Sequence, residues 1–203
     1  GSHGYYNLSG GELNLSSYLI IGTTGSGTFT QTGGAVTAAN AIILGDVAGS
    51  TGNLYDLQGG TINGPRLSVA DKANSSAAFR ASGGTAVFNG TGVFGNASGA
   101  VAIGEFSGNA NVTFTGDMYF GNAGSTGSGT IDDDAVITVN GQHTVIGRSG
   151  VGTFVQGGNS TVNLRRLFVA EGAGSGGSSY TLNSGTLNAT DTTNIGRTHQ
   201  GTF

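Results

Sequence analysis

The residues of this chain with the strongest claim to chemistry are its acids. Asp132-Asp133-Asp134 is the one run of carboxylates, and adjacent acids can hold a cation or share a proton. Asp46 and Asp71 stand out for another reason. They belong to a spaced column of mostly polar residues, Thr23, Asp46, Asp71, Asn96, Asn122, Arg148, Glu171 and Arg197, each following a Gly or Ala. Calcium takes several oxygen ligands, so Asp46, Asp71, Asp132, Asp133 and Asp134 are candidate Ca2+ ligands; no other cofactor is expected. The competing reading is structural. Gly-Asp and Gly-Asn are turn dipeptides whose side chains bond their own backbone. The Gly-Gly-x-Gly-x-Asp nonapeptide of repeat-type calcium sites does not recur.

Catalysis by carboxylates needs a second acid, a base or a nucleophile within reach. The stretches taken as equivalent to Asp132-Asp133-Asp134 are Ser107-Gly108-Asn109 and Val155-Gln156-Gly157, which offer none. His143 and His199 have no evident Asp or Ser partner, and the chain contains no Cys. No catalytic residue is therefore assigned and the chain is not expected to be an enzyme, a polysaccharide-active β-helix being the alternative.

What would position these residues is a repeat. The chain has 203 residues, of which 41 are Gly and one is Pro. Gly at that level points to a periodic structure or to disorder, but 36% hydrophobic and only 9% charged residues argue against disorder. Short apolar runs close on a small residue at Gly22, Gly45, Ala70, Gly95, Gly121, Gly147, Ala170 and Gly196, with spacings of 23 to 26 residues. Upstream of each lies a largely aromatic column, read as Tyr6, Phe29, Tyr55, Phe79, Phe106, Ile131, Phe154 and Tyr180. A third column, read with a one-residue slip, is Leu13, Val36, Ile62, Val87, Val112, Val139, Val162 and Leu187. Val101-Ala102-Ile103-Gly104 imitates a repeat ending out of register and reads as an insertion or a decayed loop.

Local alternation, as in Thr28-Phe29-Thr30-Gln31, and β-branched and aromatic enrichment indicate strands. Gly-Gly pairs such as Gly33-Gly34 and Gly59-Gly60 mark turns. Three short strands per unit cannot bury an apolar face alone, whereas stacking the units does. The expected fold is all-β: a parallel β-helix, or β-solenoid, of about eight coils of roughly 25 residues with three short strands per coil. At about 4.8 Å per stacked strand the rod would be on the order of 40 Å long. Residues 1–3 read as an expression scar and 4–203 as one solenoid domain, a fragment of a longer array.

In the third strand the expected inward residues include Leu19/Ile21, Ile42/Leu44, Leu67/Val69, Met118/Phe120 and Leu167/Val169. The residue between each pair should face out. Ile20, Ile43, Val93, Tyr119, Val145 and Phe168 then form an apolar stripe, read either as an interaction surface or as a column covered by loops. An ice-binding array of Thr-x-Thr is not expected, because Asn7, Asp56 and Arg80 interrupt it.

The net charge of -4 and scattered basic residues argue against nucleic acid, and no apolar run of 18 residues is available for membrane insertion. The segments Gly27–Asp46 and Tyr6–Leu15 resemble the β-strand repeats of large bacterial surface proteins, the autotransporter-passenger-like solenoids. The resemblance spans essentially the whole chain. It implies an extracellular, cell-surface rod: a structural or adhesin module presenting its side faces to a surface protein or glycan. A carbohydrate-binding β-helix and a self-assembling filament, stacked head to tail, are the alternatives.

Overall fold

The computed structural model describes residues 1–203 and contains strands and turns but no helix. Each coil of the chain contributes one strand to each of three sheets. The second coil is representative, with strands Ser26–Gln31, Ala35–Ala38 and Ile42–Leu44. The first sheet has nine strands and the other two have eight, and every strand pairs in parallel with its equivalents one coil before and after. The fold is therefore the expected β-solenoid of about eight three-stranded coils. The first strand already begins at His3, one residue before the expected domain start, and His3 pairs with Ser26.

The closing Gly/Ala column has a conformational cause. Gly22, Gly45, Ala70, Gly95, Gly121, Gly147, Ala170 and Gly196 all have positive φ, so the chain turns out of the third strand through the left-handed region at every coil. Two of the eight positions carry Ala at φ 55 and 58. The loop that follows is less variable than its composition suggests. Ser75, Ser125 and Ser175 each donate from Oγ to the carbonyl three residues back, at 2.6, 2.5 and 2.5 Å.

Two of the three columns read from sequence need correction. Strand register aligns Phe79 with Gly104, Gly104 with Gly129, and Gly129 with Phe154. The aromatic column is thus Tyr6, Phe29, Tyr55, Phe79, Gly104, Gly129, Phe154 and Tyr180. Phe106 and Ile131 belong to the inward column two residues on, beside Ala81 and Gln156. Val101–Phe106 is neither an insertion nor a decayed loop but the fifth coil's first strand, in register on both sides. In the second sheet Ala86 and Ile137 align with Val112, so no slip exists; Val87 faces out and Val139 aligns with Phe114. The misreading has a steric origin. The core volume missing at Gly104 and Gly129 is supplied from the third sheet by Phe94 and Phe120, whose rings stack at 4.4 Å. A Cβ on Gly104 would stand 2.8 Å from Phe94, and one on Gly129 2.8 Å from Phe120. Aromatic bulk changes sheets while the register continues.

The core also holds a polar device used twice. Gln31 and Gln156 are fully buried in an otherwise largely apolar column. The Gln156 amide donates to the carbonyls of Ser160 and Thr186 at 3.2 and 2.9 Å, and its Oε1 accepts from the Tyr180 hydroxyl at 2.6 Å. Gln31 repeats this with Gly34, Thr61 and Tyr55. Burial drives both tyrosine hydroxyls far above their ordinary titration range, so they act as fixed donors. Tyr180→Phe should therefore cost about 1–3 kcal/mol, the penalty of leaving the Gln156 acceptor buried and unmet. Denaturant unfolding checks this; a cost well below that range would mean that the network contributes little.

Candidate functional site

The charged groups are unevenly distributed around the rod. Of the seven Lys and Arg residues, only Arg80 lies on the first sheet, where it pairs with Glu105. Arg165 stands at the corner before the third sheet, beside Asn163 and Asn188 of the second; the five others flank the third sheet. The cause is local geometry. Its strands are three residues long and end in bends, so long side chains before and after each strand converge over the single outward residue between them.

That convergence decides the fate of the apolar stripe. Strand register does align Ile20, Ile43, Ser68, Val93, Tyr119, Val145, Phe168 and Asn194 in one column. As an exposed surface, however, the stripe is corrected: Ile43, Val93, Val145 and Phe168 are buried and Tyr119 is half-buried. Arg66 reaches across Ser68 to Asp71, Arg148 lies over the Tyr119 ring at 4.8 Å, and His143 and Arg197 flank Phe168 at 5.5 and 5.9 Å. Ile20, on the edge strand of the first coil, is 39% exposed.

Two clusters organise this face. The first is built on Asp71, whose side chain is only 3% exposed. Its Oδ1 accepts from Ser68, from Asn96 at 3.0 Å and from Arg66 at 3.4 Å, while Lys72 Nζ sits 2.8 Å from Oδ2. Lys72 also approaches Asp46 at 3.8 Å, so an ammonium group lies between the two carboxylates proposed as calcium ligands. Burial alone would raise the Asp71 carboxyl; hydrogen bonds from Lys72, Ser68 and Asn96 and the Lys72 charge outweigh it and hold it below the ordinary carboxylate value. A carboxyl depressed by folding stabilises above its unfolded pKa and loses that contribution as pH falls through the folded value. Stability should therefore drop below about pH 4. In Lys72→Met the largest opposing hydrogen bond and the charge are gone while the burial remains, so the acid transition should move to higher pH. An unchanged acid transition would mean that Asp71 is not held by Lys72.

The second cluster joins Asp117, Tyr119 and His143. Reading by sequence left His143 without a partner; Asp117, one coil earlier, is that partner. It accepts from the His143 backbone N–H at 2.9 Å and lies 3.4 Å from Nδ1. The spacing of 26 residues, one coil, was the available signal. The Tyr119 hydroxyl donates to Asp117 at 2.7 Å, and burial together with the Asp117 hydrogen bond and charge pushes its pKa up to about 12. Tyr119 is thus a proton donor held by an acceptor. His199 is exposed and contacts Thr198 at 3.1 Å.

The structure does not bring Asp132, Asp133 and Asp134 near either cluster. They form the turn between the first and second strands of the sixth coil, aligned with Ser107-Gly108-Asn109 below and with Gly157-Gly158-Asn159 above. The upper match replaces Val155-Gln156-Gly157, a shift of two residues. Asp132 Oδ1 accepts from the Asp133 N–H and Asp133 Oδ2 from the Gly108 N–H, both at 2.9 Å, and Asp133 has φ 56. Asp134 Oδ1 accepts from Asn159 at 3.3 Å. The first of these bonds is local to the turn and the other two tie it to the neighbouring coils.

Two hollows lie at the N-terminal end of the rod. One, of about 510 Å3, is lined by Tyr6, Leu13, Leu19 and Phe29 and continues the core. The other, of about 570 Å3, lies on the third face and is lined by Tyr18, Ile20, Ile43, Asp46, Arg66 and Lys72, among others. Comparison with protein-family models, with curated proteins and with solved structures returned no match.

Proposed function

We propose that this chain is a structural and adhesive rod of an exported bacterial surface protein, with the third face as its contact side. The observation that carries the reading is the segregation of chemistry. Inward columns run through consecutive coils, so the core serves length and stiffness. Five of seven Lys and Arg residues, interleaved with Asp46, Asp71, Asp117, Glu171 and Asp191, occupy one flank. A polar side presented along a rigid rod suits contact with a partner surface better than it suits a single reaction centre. The extracellular setting is supported by the likeness of Gly27–Asp46 and Tyr6–Leu15 to bacterial surface repeats.

The test is adhesion of beads coated with the purified chain to bacterial cells and to immobilised matrix glycoproteins. Arg148→Ala/Arg166→Ala should reduce capture severalfold, whereas Arg80→Ala on the first face should not. Equal losses, or no capture by the unaltered chain, would defeat the reading.

A further inference from the structure

Three asparagines of this chain are followed by glycine, at Asn63-Gly64, Asn89-Gly90 and Asn140-Gly141. An Asn-Gly pair can modify itself, because glycine carries no side chain to shield its backbone nitrogen from the amide carbon of the asparagine. The structure sets the three pairs apart. Asn63 and Gly64 lie within a paired strand, and Asn63 Oδ1 accepts from Asn89 Nδ2 at 3.1 Å. That bond ties the Asn89 side chain as well. Asn140 is exposed and its side chain makes no hydrogen bond, and the Gly141 N–H has no acceptor. The corner from Asn140 to His143, between strands Val136–Val139 and Thr144–Ile146, is also the longest that joins a second strand to a third in any coil. Gly141 is fixed by packing: a Cβ there would stand 2.3 Å from the Gly116 carbonyl carbon of the coil below. The reactive pair is therefore built into the corner.

Its surroundings are electropositive. Arg165 and Arg166 share a single Asp191 oxygen, at 3.5 and 2.7 Å, so their combined charge is only half compensated. Arg165 also donates to Gln142 of the same corner at 2.6 Å, and it lines one hollow with Asn140. We infer that Asn140 is a self-modifying site, converted through Gly141 to an aspartyl residue that pairs with Arg165. The Gly141 nitrogen gives its proton to solvent and attacks Asn140 Cγ. The Cγ–Nδ2 bond breaks, and ammonia leaves with a proton taken from solvent. Water then opens the cyclic imide at either carbonyl, giving an aspartyl or isoaspartyl carboxylate; nothing is oxidised or reduced. The guanidinium favours both stages at which negative charge develops, on the nitrogen and on the Cγ oxygen. The product carboxylate meets the surplus cation. A solvent-exposed ion pair adds little stability, so the consequence is a change of surface charge at this corner and not of fold.

The inference does not depend on the third face being the contact side. The folded chain is held in mildly alkaline buffer at physiological temperature, and its proteolytic peptides are followed by mass spectrometry for the exchange of an amide for a carboxyl group. Asn140 should convert several times faster than Asn89 or Asn63. In concentrated urea, where only the shared Asn-Gly sequence remains, the three rates should converge. Arg165→Gln should slow conversion at Asn140 severalfold and leave the other two sites unchanged; the Arg165 side chain is 43% exposed, so the fold tolerates the substitution. The inference is overturned if Asn140 stays intact in the folded chain, if Asn63 or Asn89 keeps pace with it, if the folded-state order persists in urea, or if Arg165→Gln changes nothing.

Discussion

Gly121→Ala should destabilise the central coils by roughly 3 kcal/mol or more, against about 1–2 kcal/mol for Gly11→Ala. Both glycines have positive φ, 71 and 77, so both substitutions meet the left-handed penalty. They differ in what a methyl would touch. Nothing lies within 4 Å of a Cβ on Gly11, whereas one on Gly121 would stand 2.3 Å from the Val151 carbonyl oxygen, 2.4 Å from its carbon and 2.8 Å from the Gly152 nitrogen. All three are backbone atoms of a paired strand and cannot rotate away. Ala70 and Ala170 occupy equivalent corners at positive φ, so the corner itself tolerates a methyl. The difference is the connection Arg148-Ser149-Gly150, which is short and draws Val151 against Gly121. Equilibrium unfolding of the two variants checks the prediction, and equal costs would show that φ alone governs the corner.

Phe120→Ala should cost about 3–5 kcal/mol, because a fully buried ring stacked on Phe94 and edge-on to Phe154 is removed from a site that cannot collapse. Gly129→Phe alone should fail by overpacking, since even its Cβ would lie 2.8 Å from Phe120 and 2.4 Å from Phe154. The double variant Phe120→Ala/Gly129→Phe returns an aromatic to the first-sheet column and empties the third. It should be more stable than the sum of the two losses predicts by at least about 1 kcal/mol. Simple additivity would mean that the two sheets do not share one core volume. This cycle tests the claim that aromatic bulk passes from sheet to sheet while strand register is kept.

That exchange marks where reading the sequence succeeded and where it failed. Period, strand number and parallel stacking were legible because each rests on local signals repeated many times: closing Gly/Ala corners, Gly-Gly turns and apolar alternation. The aromatic column was misassigned at coils five and six, and the second-sheet column at coils four and six, because residues were aligned by type. Register follows backbone pairing, so Gly104 aligns with Phe79, and Phe106 does not. In sequence nothing marks Phe94 and Phe120 as the replacements, since the contact crosses from one sheet to another.

The candidate site was legible only in part. Asp46 and Asp71 were found through their shared place after the closing corner, and the apolar outward column through strand alternation. Lys72 between the two carboxylates, Arg66 reaching across Ser68, and the Asp117–His143 pair were not found. Each depends on side chains meeting across a coil or over a three-residue strand. The same holds for Gln156 and Tyr180, separated by 24 residues and joined by one hydrogen bond. By itself the sequence determined a rod of repeated three-stranded coils, because backbone conformation and hydrophobic periodicity are properties of the local chain. Which acids meet cations, which residues of the apolar stripe are buried, and which sheet fills the core at each level were decided only by the tertiary structure. Those outcomes depend on distances between coils, which residue spacing bounds but does not set.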